Sequence, residues 1–304
     1  MPNEDVKTIS ISLGGNSDKN ILKVLEESNE YLDSHDALTS KIDECLWVLR
    51  DLEDLLPQTL ETFWSGHMFP IVETNTELES SIQLCKFGFY KYAFIALRNI
   101  LELGLLSVYW DVDDKSHVEI QNWLHSFEST PYRKKTIFPK LKTNQNIKKF
   151  DDKHKFFDSV DTLFGELSNF VHTKGRRYSS MDLGNANFNR FNEKSLLSWI
   201  EFVIKVVKHV VIVHVLKYPV ALQHTSVEQK FGLNGPAGLF LEPYQSEKIK
   251  HFLDSDILKT LQEISDNDPE AQSLRKWIEQ QSDISQDKLQ EQINDFEKIY
   301  PTKS

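Results

Sequence analysis

Apolar residues recur at steps of three and four along most of this chain, so helices are predicted almost throughout. Asp18 to Leu32 and Leu38 to Leu56 show the pattern first, as in Ile42, Leu46 and Leu49, and Pro57 closes the second helix. Helices are further predicted from Thr76 to Gly88, Phe89 to Trp110 and His117 to Phe127. A basic loop with a helical fragment follows, then a helix from Lys153 to Lys174. From Glu193 to about Tyr218 there is no Gly or Pro, which gives one long helix, capped by Asn192 or Ser195 and ended by Pro219. A Gly/Pro-rich break from Phe231 to Pro243, containing GLNGPAG, reads as a linker. Amphipathic helices follow near Ser246 to Ile264, Pro269 to Gln281 and Gln286 to Tyr300. The expected fold is all-α, a helical bundle core with helical extensions at both ends. Its expected parts are a tail (1–17), an acidic helical hairpin (18–69), a core (70–225) holding the basic loop 131–150, a linker (226–245) and acidic C-terminal helices (246–304).

Two helices break the simple amphipathic rule. YAFIALRNILELGLLSVYW, from Tyr92 to Trp110, is apolar around nearly its whole circumference, as a helix through the middle of a bundle would be. Its only charges, Arg98 and Glu102, lie one turn apart on one face. They read either as a polar staple that sets helix register or as an anion clamp in which Glu102 holds the Arg98 guanidinium. Gly104, in mid-helix, points to a close approach by another group. In the second helix Phe156, Val160, Leu163, Leu167 and Phe170 form one stripe, and His172 falls nearly opposite, in line with Asp161, Gly165 and Ser168. His172, Lys174 and Arg176 with Gly175 suit a helix C-terminus, where cations complement the negative end. The same histidine, followed by Lys174, Arg176 and Arg177, also suits chemistry on an anion.

Charge is distributed unevenly. The chain carries a net −11, yet residues 1–130 hold 9 Lys and Arg against 23 Asp and Glu, while residues 131–177 hold 12 against 5. Within YRKKTIFPKLKTNQNIKKF, from Tyr132 to Phe150, Arg133, Lys134, Lys135, Lys140, Lys142, Lys148 and Lys149 occur with no acid. Cations interleaved with Tyr and Phe suit a phosphate backbone with stackable bases; a solvated loop balancing acidic surface is the other reading. Cys45 and Cys85 sit in apolar helical patterns and read as core filler in a reduced, cytosolic protein. The acidic start lacks the features of a secretory signal, and charges interrupt the apolar stretch from Trp199 to Pro219, so no membrane association is expected.

The helix bearing Tyr90-Lys91-Tyr92-Ala93 and Leu97-Arg98 through Leu101-Glu102, together with Leu167-Ser168 leading to Val171-His172, resembles the HEPN-related helical proteins of bacteria over about residues 75–220. The resemblance implies a helical bundle that dimerises, and a role as toxin or antiviral defence effector. It also implies metal-independent RNA cleavage with His172 as acid/base, Arg98 steadying the phosphate, and Glu102 and Asn169 as polar neighbours. This chain departs from the family's ribonuclease signature: where an Arg should precede the His stand Gly165, Glu166 and Leu167. Arg98 from the other helix, or Lys174, Arg176 or Arg177, would then supply the positive charge.

No cofactor and no metal are expected. His209 and His214 read as packed, hydrogen-bonded histidines, and GLNGPAG lacks the ending of a phosphate-binding loop. Two functions follow. One is a metal-independent endoribonuclease guided by the 131–150 loop. The other is a catalytically silent scaffold or interaction subunit of a defence or toxin–antitoxin complex, binding a partner protein through its acidic flanking helices.

Overall fold

The computed structural model describes residues 17–58, 65–112, 117–183, 190–223 and 226–299; the expected N-terminal tail up to residue 16 lies outside them. The fold is all-α, with no strand among the described residues. Its helices are α1 (Ser17–Asp33), α2 (Asp36–Asp51), α3 (Phe69–Lys86), α4 (Tyr90–Trp110), α5 (His117–Leu124), α6 (Phe138–Leu141), α7 (Gln145–His154), α8 (Phe156–Val171), α9 (Glu193–Lys217), α10 (Val227–Phe231), α11 (Pro243–Phe252), α12 (Ser255–Asn267), α13 (Pro269–Glu279) and α14 (Gln286–Ile299). They form two compact units, each assembled from three separated stretches of chain. Unit 1 takes residues up to Trp47, Pro70–Leu106 and Lys155–Val210; unit 2 takes Val48–Phe69, Ser107–His154 and Val211 onward. The stretch 70–225 therefore contributes to both.

Unit 1 is centred on the first part of α4. Phe94, Leu97 and Leu101 are fully buried, and Phe94 stacks on Phe170 of α8 with centroids 4.1 Å apart. Burying an aromatic pair in this way contributes about 0.5–1.5 kcal/mol beyond the area removed from water. Trp199 of α9 donates its indole N–H to Ser81 Oγ at 2.9 Å, and Ser81 in turn donates to the Ala93 carbonyl at 2.9 Å, so the buried polar atoms of three helices satisfy one another. Of the two cap candidates, Asn192 starts α9, its side-chain oxygen accepting the Ser195 N–H at 3.0 Å. Gly104 faces Val210 of α9: a Cβ there would lie 2.5 and 2.7 Å from the two valine methyls. This is the close approach its position in mid-helix implied.

The helix expected from Lys153 to Lys174 is in fact two. Lys155 adopts φ 52°, a left-handed conformation that ends α7 and starts α8. Periodicity alone cannot see that interruption, because apolar residues continue on both sides of it.

Unit 2 holds the basic segment, and the expected loop is largely helical. Arg133–Ile137 forms a wide turn of π-helix type, followed directly by α6 and then α7. Ile137, Phe138, Leu141, Ile147 and Phe150 are buried, and Asn144 accepts the N–H groups of Asn146 and Ile147, so it caps α7. The apolar residues between the lysines are thus anchors. Elsewhere in the unit, Gln245 donates to both Asp51 at 3.0 Å and Asp54 at 2.8 Å, and Gln245 and Glu242 cap α11 reciprocally. The expected linker is ordered by α10 and by a stack of Phe231 and Phe240 on Trp277.

Among the described residues one helix, α4, is long and apolar enough to cross a bilayer, and 72% of its most apolar window is buried within the protein.

Candidate functional site

The chemistry implied by α4 and α8 depends on whether their polar residues meet. Three contacts set the register of the two helices: Lys91 Nζ donates to Thr173 Oγ1 at 2.6 Å, Phe94 stacks on Phe170, and the Arg98 guanidinium lies over the Phe164 ring at 5.7 Å. As numbers rise on α4 they fall on α8, so the helices are antiparallel. Arg98 is therefore level with Phe164, and His172 lies eight residues further along α8, about 12 Å at 1.5 Å per residue. Along the helix axis Arg98 and His172 are thus about two turns apart within one chain.

Arg98 is also committed to its neighbours. Its Nη1 donates to Glu102 at 3.2 Å, with both side chains 28% exposed. Asn99, beside it, donates to Glu77 at 3.3 Å, whose carboxyl is raised by burial. A guanidinium between a carboxylate and an aromatic ring is held in place, and a phosphate would have to compete with Glu102 for it.

His172 sits at the C-terminal end of α8, where its N–H bonds to the Ser168 carbonyl at 3.0 Å and its side chain is exposed. On the strip it shares with Asp161, Gly165 and Ser168, a Cβ at Gly165 would meet nothing within 4 Å, while Asp161 and Ser168 are half-buried. The C′ position expected for Gly175 is held by Thr173, at φ 47°: its N–H bonds to the Phe170 carbonyl at 3.3 Å and the Lys174 N–H to the Asn169 carbonyl at 2.9 Å, and Gly175 stands two residues further on. Asn169 is half-buried. Arg176 pairs with Asp182 at 3.2 Å, and Arg177 lies 5.7 Å from the Tyr178 ring.

The cations of the basic segment divide into two groups. Lys140, 17% exposed at its side chain, lies over the Tyr109 ring at 4.3 Å and pairs with Glu119 at 3.3 Å, so it is built into the fold. Lys142 pairs with Asp151 at 2.8 Å. Lys134, Lys135, Lys148 and Lys149 are exposed and Arg133 half so. Two exposed aromatic rings occur close in sequence to Arg133, Lys134 and Lys135, Tyr132 at 56% and Phe127 at 78% exposure. Phe127 lay outside the sequence candidates. Its signal was indirect, a large apolar residue following the end of α5, where Ser126 takes φ 58°. The segment lies in unit 2, whereas Arg98 and His172 lie in unit 1.

The two histidines of α9 are both hydrogen-bonded. His214, fully buried, meets Ser107 at 2.7 Å. His209 Nδ1 donates to the Lys205 carbonyl at 2.7 Å, which leaves Nε2 to accept from Ser159 of α8 at 2.9 Å. Burial holds the His209 imidazole below its ordinary range. Burial likewise pushes the Cys45 thiol up to about 12 and the Cys85 thiol well above its ordinary range, so neither is a ready nucleophile. No group of three His, Cys, Asp or Glu side chains that could hold a metal ion occurs among the described residues.

The class defined by this geometry is an all-α protein with a cationic, aromatic-flanked helical segment. Compared with family models, curated proteins and solved structures, the chain matches none of them.

Proposed function

We propose that this chain is an RNA-binding helical protein, HEPN-related in descent, that acts as a catalytically silent scaffold or interaction subunit of a cytoplasmic toxin or antiviral defence complex. The observation that carries the reading is the acid-free cationic run from Arg133 to Lys149, in which Lys134, Lys135, Lys148 and Lys149 are exposed and Tyr132, just before it, is exposed as well. Such residues neutralise phosphates and stack bases. The register of α4 against α8 supports the non-catalytic half of the reading, since Arg98 and His172 are about two helical turns apart. The acidic C-terminal helices provide a separate surface for a partner protein.

The test is RNA binding by the full chain over a range of salt, with RNA integrity followed in EDTA. The parent is expected to bind in a salt-dependent manner and to leave RNA intact. A variant neutralised at Lys134, Lys135, Lys148 and Lys149 should bind more weakly, with a salt slope shallower by roughly three to four. Equal binding by the variant removes the RNA reading.

One observation favours a second reading. His172, Lys174, Arg176 and Arg177 are all exposed at one helix end, where a second copy of the chain could complete a catalytic site in a homodimer. RNA cleavage that survives chelation and disappears in His172→Ala would select that endoribonuclease reading over the scaffold.

A further inference from the structure

Unit 2 contains a cavity of about 190 Å³ bounded by the end of α9, the turn after it and the start of α13. Its polar lining is Asp111, Lys217, Tyr218, Asp268 and Glu270, and its apolar walls include Val220, Leu239 and Leu274. Pockets for drug-sized ligands hold about 300–1,000 Å³, so this one suits a compound of only a few carbons.

The lining is rich in acceptors. Tyr218 donates its hydroxyl hydrogen to Asp111, and Lys217 Nζ stands 3.8 Å from the same carboxylate. Those contacts leave the cavity with two more carboxylates and no further cation. Asp268 is held rigidly, accepting the Ala271 N–H and the Asn146 side-chain amide at 2.8 Å each. It also caps α13, so the positive end of that helix is already answered. Glu270 makes no hydrogen bond or ion pair among the described residues. Burial, then Asp111, then Glu270 push the Tyr218 hydroxyl well above its ordinary range, so it remains a neutral donor to Asp111.

The geometry points to this cavity as a binding site for a small alkylammonium compound. An ammonium offers three N–H donors and no acceptor, which complements walls dominated by carboxylate and phenol oxygens. Leu239, Leu274 and Val220 accommodate a short alkyl chain. An anion would meet the carboxylates directly. The site owes nothing to the basic segment, so it stands or falls separately from RNA binding.

Calorimetric titration of the full chain with putrescine tests it, with butane-1,4-diol as the uncharged control of the same length. Expected are saturable binding at one site per chain, no binding of the diol, and an affinity loss of about tenfold or more in Glu270→Gln, a change at an exposed side chain. Leu274→Phe, which fills the cavity, should abolish binding while the helical circular dichroism stays unchanged. The proposal is overturned by absence of saturable heat, by equal binding of the diol, or by unchanged affinity in both variants, which would mark a diffuse attraction to the acidic surface.

Discussion

Replacing Gly104 by alanine should destabilise unit 1, although alanine is the better helix former. On propensity alone the substitution would gain about 1 kcal/mol in mid-helix. Against that stands the contact with α9, where the new Cβ would lie 2.5 Å from Val210 Cγ2, 2.7 Å from Cγ1 and 3.2 Å from Cβ. Valine is stiff about χ1, and because both methyls are within the clash, no single rotation clears them. The helices must separate or the valine must leave its rotamer, at a cost of about 1–3 kcal/mol for overpacking. With three close contacts the upper part of that range applies, so the net loss is about 1–2 kcal/mol, or roughly 2–8 °C in Tm. Val210→Ala alone removes two buried methyls and should also destabilise. Combined, the two changes restore one methyl's worth of volume, so the double variant should be more stable than the sum of the singles by about 1–2 kcal/mol. Urea unfolding of all four proteins, followed by circular dichroism, measures this coupling. A neutral or stabilising Gly104→Ala, or strictly additive losses, would refute the account of why glycine stands there.

Three other outcomes follow from the geometry. Glu102→Gln should change stability by no more than about 0.5 kcal/mol in thermal unfolding, because the Arg98 pair is part-exposed and sits at i,i+4 spacing. His209 has a folded-state pKa below its ordinary 6.5, so the unfolded chain takes up a proton that the folded chain resists; its contribution is fully present above pH 6.5 and is lost as pH falls below it. Unfolding midpoints measured across that range should decline less steeply in His209→Gln than in the parent. Lys140→Ala should lower Tm while Lys148→Ala does not, since Lys140 packs on Tyr109 and Lys148 is exposed.

Much of the helical fold was legible because periodicity reports burial. The stripe from Phe156 to Phe170 and the all-round apolarity of α4 both correspond to buried residues. The misses come from features that periodicity does not encode. Lys155 interrupts the helix through a left-handed backbone angle, and its side chain gives no warning of it. The run from Arg133 to Phe150 reads as a loop because lysines mask the anchors Ile137, Leu141 and Ile147. At the candidate site, sequence correctly pairs Arg98 with Glu102, four residues apart on one helix. It cannot supply the register between helices, which decides whether Arg98 meets His172 and which depends on long-range contacts such as Phe94 on Phe170. The cavity beside Tyr218 was equally invisible, since its carboxylates come from positions 111, 268 and 270.

The discontinuous make-up of unit 1 has a temporal side. Ser81 and Trp199, joined by a core hydrogen bond, are 118 positions apart, and Tyr31 and Glu193 are 162 apart. At about 5–20 residues per second on the ribosome, Ser81 is made roughly 6–24 s before its partner. For part of that interval the greasy helix from Tyr90 to Trp110 waits in the nascent polypeptide, first without α8 and then without α9 to cover it. A cell expressing this protein would therefore be expected to shelter it with chaperones during translation, and slowed elongation between codons 110 and 200 should raise its aggregation more than the same delay nearer either end.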